Sequence, residues 1–316
     1  MRAIPRQAEH QLGVFSFEQA LAAGWSADQL DRAVASERLV RLRRGAFALV
    51  AAEETGHDLK RLRLGQRGIA AALRIPTATV SHAAAAAVHG LPLLRAPEHA
   101  CVTLPPALRT READLHVHRQ PIPAWQLDAG QDISTTSVAR SCIDLTRECG
   151  LDAGVVAADA AIHTGLCTLE ELEAAYASCR GRAGLPSGRQ LIELADGRSE
   201  SPLESISRLG MISLKPAPQS QVPLYTTTGL FLGRVDFYWS EFGVVGEADG
   251  RQKYTDDELW KEKLRQERLT DQGLVVERWG WSVARKPAVL QAKLEQAFRR
   301  AALLRSAGIP VRAIAK

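Results

Sequence analysis

Asp236 and Glu247 lie eleven positions apart, one on each of two apolar runs that flank Ser240-Glu241-Phe242-Gly243. This spacing constrains the fold more than any other feature of the chain. Val235 to Trp239 and Val244 to Ala248 read as strands and the residues between them as a hairpin turn. With Glu241-Phe242 as a two-residue loop, Trp239 pairs with Val244, Tyr238 with Val245, Phe237 with Gly246 and Asp236 with Glu247. Directly opposed side chains share a sheet face with Cβ atoms about 4.5 to 5.5 Å apart, and like charges so placed repel. A hard divalent cation between them relieves the repulsion, since Mg²⁺ takes oxygen ligands from one or two carboxylates. Period-two alternation puts Asp249 on the same face and leaves Val235, Phe237 and Trp239 as an apolar opposite face.

The flanks extend this unit. Upstream, Ser201 before Pro202 marks a helix start, with Glu204 in the first turn, where the helix dipole alone favours an acid. Downstream, Thr255-Asp-Asp-Glu258 has capping-box spacing and opens a helix to about Gln272, stopped by Gly273. Lys261, Arg265 and Arg268 recur along it as a basic stripe, the pattern of a phosphate-tracking helix and equally of a solvated face. Leu274 to Trp281 reads as a further strand.

The order helix, hairpin, basic helix, strand resembles the metal-dependent PD-(D/E)XK nucleases, and within them the very-short-patch-repair endonuclease-like branch. Asp236, Glu247, Asp249, Gly250 and Gln252 match that branch's pattern, Lys253 stands where it usually has His, and Asp249 occupies the position of the superfamily's lysine. The resemblance implies a Mg²⁺- or Mn²⁺-dependent DNA endonuclease. Asp236 and Glu247 would hold the metal, Asp249 and Glu204 would support it, and Lys253 would steady developing charge.

A second signature lies near the N-terminus. Ser16-Phe-Glu-Gln19 and Ser26-Ala-Asp-Gln29 both have capping-box spacing, so each starts a short helix, with Gly24 stopping the first. Leu30 and Val34 point inward on the second helix, while Gln29, Asp31 and Arg32 face out. Arg38 to Leu49 reads as a small hairpin with Arg41, Arg43 and Arg44 near its tip, which completes a winged helix-turn-helix. Such a wing suits DNA phosphates and its second helix the major groove, although winged helices also serve protein contacts. The stretch Phe15 to Leu49 resembles the N-terminal domain of AbiEi-type antitoxins of type IV toxin-antitoxin systems. The helix Val80 to Pro92, with its Ser81-His82 start and His89-Gly-Leu91 end, resembles their second domain. That likeness implies a repressor acting on its own operator DNA, with a toxin as partner.

The middle of the chain offers little chemistry. Thr135–Leu145, Leu151–His163, Leu169–Cys179 and Gly188–Ala195 read as helices, the third with a capping box from Thr168 to Glu171. His82 and His89 read as satisfied polar residues at helix ends, and His116 and His118 as strand residues at the surface. The five cysteines, Cys101, Cys142, Cys149, Cys167 and Cys179, lack the short paired spacing of zinc motifs, and Cys142 and Cys149 read as small buried residues.

The expected architecture is α+β and α/β multidomain: a winged helix-turn-helix over 1–75, a mixed helical connector over 76–195 and a restriction-endonuclease-like α/β domain over 196–316. A net charge of +4 permits nucleic-acid binding through local patches without demanding it. With no membrane-length apolar run and no signal core, a cytoplasmic protein without membrane association is expected. Two functions compete, a metal-dependent endonuclease and an AbiEi-like repressor whose nuclease-like domain is inactive.

Overall fold

Both N-terminal capping boxes form. Ser16 and Ser26 each accept from the backbone N–H three residues on, and Gln19 and Gln29 each return a side-chain acceptor to the cap's own N–H. In this computed structural model, which describes residues 3–50, 55–108, 112–128, 133–179, 185–250 and 256–315, these caps open α1 (Phe17–Ala22) and α2 (Ala27–Ala35). A short strand, β1 (Val14–Ser16), precedes them, and β2 (Leu39–Arg43) and β3 (Ala46–Leu49) follow. The sheet order β1-β3-β2 is that of a winged helix. Phe15, Trp25, Leu30, Leu39 and Phe47 form its core.

The chain divides into two compact units, Met1–Ala195 and Asp196–Lys316. In the first unit, α3 (Gly56–Arg74) runs from the winged helix into a second sheet. Its strands are β4 (Thr79–Val80), β5 (Ala100–Leu104), β6 (Leu115–Arg119), β7 (Leu127–Asp128) and β8 (Thr135–Thr136), in the order β6-β5-β4-β8-β7. Helix α4 (His82–Val88), buried along its whole length, packs on α3 and on α5 (Val138–Cys149), against which α6 (Leu151–His163), α7 (Leu169–Ser178) and α8 (Leu185–Leu194) also pack.

The expectation of a mixed helical connector is therefore corrected: this region carries a five-stranded mixed sheet. Three of its strands have only two residues and so show no periodicity, and β5 is buried at every position, which erases the alternation that marks a half-exposed strand.

In the second unit, Ser201 caps α9 (Pro202–Gly210), with proline at the first helical position. Then come β9 (Gln219–Thr226), β10 (Phe231–Trp239), β11 (Val244–Ala248), α10 (Asp256–Asp271), β12 (Val275–Trp279), α11 (Trp281–Ala284), α12 (Pro287–Ser306) and β13 (Ala313–Ala315). The sheet order is β12-β11-β10-β9-β13, with β11 and β12 parallel and the other pairs antiparallel. Trp239, Phe237 and Trp279 face α12 and α9, since Trp239 meets Phe298 edge-on and the Trp279 indole donates to Ser207 at 2.7 Å. Leu269 of α10 shares a core with Tyr238 and Val245.

The hairpin register is Trp239 with Val244, Tyr238 with Val245 and Phe237 with Gly246. Its loop is the four-residue turn Ser240–Gly243, not the two-residue Glu241-Phe242 loop, because the Phe242 N–H bonds back to the Trp239 carbonyl and Gly243 takes φ +61°. Gly246 has a packing reason as well: a Cβ there would lie 2.5 Å from the Trp279 ring and 3.0 Å from that of Trp239.

Candidate functional site

Two charged constellations stand out, one in each unit. In the winged helix, Arg44 is exposed at the β2–β3 turn, where Gly45 has φ +77°. Its neighbours are engaged within the fold. Arg41 pairs with Asp31 and lies over the Phe47 ring. Arg43, only 10% exposed, holds Glu112 at 2.6 Å and Asp114 at 3.5 Å. On α2, Arg32 is exposed and donates to the Asp28 carbonyl. Gln29 is half-buried and its amide oxygen is committed to the Ser26 cap at 2.9 Å, so reading a base edge with that atom would uncap the helix. A cavity of about 500 Å³ between α2, the wing and α3 is lined by Arg41, Arg44 and Arg74 together with Glu18 and Asp31.

The second constellation lies where β9, β10 and β11 meet α9 and α10. The paired part of the hairpin ends at Phe237–Gly246, and beyond it the Asp236 carboxylate takes the Ala248 N–H at 2.8 Å. Glu204 accepts from the Glu200 N–H at 3.0 Å and from the Ser201 hydroxyl at 2.8 Å. Gln221 ties the two acids together, donating to Glu204 at 2.7 Å and to Asp236 at 3.4 Å. It does so from φ +54°, a left-handed conformation uncommon for a side chain other than glycine.

Arg265 reaches in from α10, giving one guanidinium nitrogen to Glu247 at 2.9 Å and to the Arg234 carbonyl at 2.6 Å. Gly233 makes the room, since a Cβ there would sit 2.8 Å from Arg265 Nε. Glu262 then links Arg265 to Arg278, which also lies 3.6 Å from Asp249.

Burial, reinforced by the nearby Glu204, pushes the Asp236 carboxyl up to about 6. Burial lifts Glu247 to about 7, with Arg265 pulling against it and Asp236 adding to it. These are proton-accepting groups poised near neutrality, a feature that clusters at functional sites but also arises in structural networks.

The structure joins Asp236 to Glu204 through Gln221, holds Glu247 beside them with Arg265, and leaves Asp249 at the edge with Arg278. Among the described residues, these carboxylates do not form a group of three whose oxygens lie within 4.8 Å of one another. The cation that Glu247 holds is Arg265, so the arrangement does not fit Mg²⁺ or Mn²⁺ as it stands. Arg265 thus faces inward and leaves the expected phosphate stripe, whereas Lys261 and Arg268 are exposed on α10. Lys253 and Gln252, with the Thr255 cap, lie outside the described residues.

Sequence reasoning missed Gln221, because Pro223 disguises β9 as a loop, and missed Glu112 and Asp114 as partners of the wing. Both are long-range contacts without a local signature. Among the described residues, no helix is long and apolar enough to cross a membrane.

Comparison with known proteins bears on the first constellation. The family model described as "Transcriptional regulator, AbiEi antitoxin" matches residues 2–50, the segment that holds α1, α2 and the wing. The uncharacterized protein Rv2248 of Mycobacterium tuberculosis H37Rv and its counterpart MT2308 of strain CDC 1551 are each 31% identical over 206 residues, 63% of this chain and 73% of theirs. The crystal structure of the RV2827C protein from the same species is 20% identical, covers 66% of this chain and 82% of its own, and superposes with a TM-score of only 0.33. The chain belongs to the family of the mycobacterial protein Rv2248, and its N-terminal winged helix matches the AbiEi antitoxin type of transcriptional regulator.

Proposed function

We propose that this protein is a DNA-binding transcriptional regulator of the AbiEi antitoxin type, acting on its own operator and paired with a toxin. The observation that carries the reading is the winged helix of residues 14–49 coinciding with the regulator segment matched at residues 2–50. Arg44 at the turn and Arg32 on α2 are the exposed cations placed for phosphates, and Arg41 can join them by leaving Asp31. Arg43 serves instead to fix the wing. The test is titration of the full chain against a duplex carrying the sequence upstream of its own gene and against a shuffled duplex. Preference for the upstream duplex, reduced in Arg44→Ala, supports the reading, and equal weak binding to both overturns it.

A Mg²⁺-dependent endonuclease is a second reading, favoured by the buried Glu247 and the half-buried Asp236 on adjacent strands, both with their affinity for protons raised toward neutrality. It requires Arg265 to give up Glu247. Incubation of single-stranded, duplex and mismatched DNA with Mg²⁺ or Mn²⁺ tests it: metal-dependent cleavage lost in Glu247→Gln supports an enzyme, and intact DNA throughout leaves the regulator alone.

A further inference from the structure

We propose that Cys101, His116, His118 and Glu148 form a zinc site in the first unit, a role separate from the DNA-binding reading above and from the acidic network of the second unit. Cys101 lies on β5, and His116 and His118 lie two apart on β6, its parallel neighbour, with Cys101 paired to His116 and Thr103 to His118. Period-two alternation therefore presents the thiol and both imidazoles on one sheet face. Glu148, near the end of α5, reaches that face.

One carboxylate oxygen of Glu148 is 2.7 Å from His116 Nδ1, 3.7 Å from His118 Nε2 and 3.6 Å from Cys101 Sγ. One ligand atom from each of the four residues falls within 4.8 Å of all the others, and among the described residues this is the one such group. Tetrahedral zinc with nitrogen at about 2.0 to 2.1 Å and sulfur at about 2.3 Å places its ligands roughly 3.3 to 3.8 Å apart. Small side-chain rotations close the difference.

Two further observations bear on a ligand. His118 Nε2 is buried and makes no hydrogen bond, its neighbour Glu148 standing 3.7 Å away, beyond hydrogen-bond distance. The His82 ring stacks on His118 with centroids 3.6 Å apart and planes 11° from parallel, which restricts the orientation of the His118 imidazole.

The ligand chemistry selects the metal. A thiolate and two imidazoles suit zinc, whereas Mg²⁺ and Ca²⁺ prefer oxygen throughout. Four protein ligands complete a tetrahedron, which marks a structural ion and not a catalytic one with an open position. On binding, the Cys101 S–H bond breaks, a Zn–S bond forms, and one proton leaves to solvent with no change of oxidation state.

The experiment uses the full chain stripped with EDTA and titrated with Zn²⁺ against a chromophoric chelator, and in parallel with Co²⁺. One Zn²⁺ per chain is expected, with a tetrahedral visible spectrum and a near-ultraviolet thiolate-to-cobalt band in the Co²⁺ form. Cys101→Ser should lose that band, and His116→Ala should weaken binding by at least about tenfold. His116 is the most exposed of the four at 56%, so its removal leaves the core intact if Cys101→Ser fails to fold. Asp236→Asn should leave the stoichiometry unchanged. Failure of the parent chain to compete for Zn²⁺, or retention of full affinity in His116→Ala, overturns the site.

Discussion

The wing and the acidic sheet handle charge in opposite ways. On the wing, Arg44 lies open to solvent and Arg41 is held by an Asp31 that is itself 65% exposed. In the second unit's sheet, Glu247 and Glu204 are buried and Asp236 half-buried, Gln221 tying Glu204 to Asp236 and Arg265, Glu262 and Arg278 forming a chain from Glu247. Exposed pairs contribute only about 0 to 1 kcal/mol and exchange partners readily, whereas enclosed charges stripped of a partner become strongly unfavourable. The first arrangement suits recruitment of an outside polyanion. The second suits either rigid structure or a site that opens on demand.

The largest expected effect comes from removing the cation at the centre of the closed network. Arg265→Ala leaves Glu247 enclosed without its partner and should destabilise the second unit by about 3 kcal/mol in urea unfolding at about pH 9, where Glu247 of the parent is ionised. Little change would mean that solvent reaches the network, which would erase the contrast with the wing. Next in size is Gly246→Ala, which drives a methyl into the Trp279 and Trp239 rings and should cost about 2 kcal/mol, seen as a lower denaturation midpoint.

A smaller effect depends on pH. In the fold the carboxyls of Asp236 and Glu247 bind protons more tightly than their ordinary ranges, up to about 6 and about 7. The folded state therefore carries more protons than the unfolded state between about pH 4 and 7, and these groups oppose folding increasingly as pH rises through that window. Asp236→Asn should accordingly melt higher than the parent at pH 8, with the gap narrowing toward pH 5 in scanning fluorimetry. A gap independent of pH would assign the gain to packing.

The smallest effect sharpens the comparison from the wing side. Arg44→Ala should lower the slope of log affinity against log salt by about 0.9 for duplex DNA, roughly a three- to fourfold smaller response between about 50 and 200 mM salt. Arg43→Ala should leave that slope unchanged and instead lower the melting temperature of the first unit, because its side chain is spent on Glu112.

Local chemistry made much of this legible. Both Ser-x-x-Gln boxes, the Ser201-Pro202 helix start and the ladder from Trp239–Val244 to Phe237–Gly246 follow from caps, turns and alternation within a few residues of each other. Contacts set by distant register were not legible. Gln221 meets Glu204 and Asp236 only because β9 lies beside β10, and His116 and His118 pass for surface residues until β5 and α5 supply Cys101 and Glu148. Cys149, expected to be buried with Cys142, is exposed, since it falls in the last turn of α5, beyond the face that packs. Arg265 shows the limit most plainly: helical spacing places it on a stripe with Lys261 and Arg268, but the gap left by Gly233 draws its guanidinium inward.

The ion pair between Arg43 and Glu112 sets how the wing can meet a partner. Arg43 ends β2, and Glu112 lies only three residues before β6, so the pair ties the wing to the second sheet of its own unit. That part of its freedom is surrendered when the chain folds, and a surface ordered in advance loses less entropy on docking to any partner. If the proposed DNA-binding reading holds, this brace keeps the turn that carries Arg44 at one place relative to the second sheet, so the fold itself would set where along a duplex that turn touches.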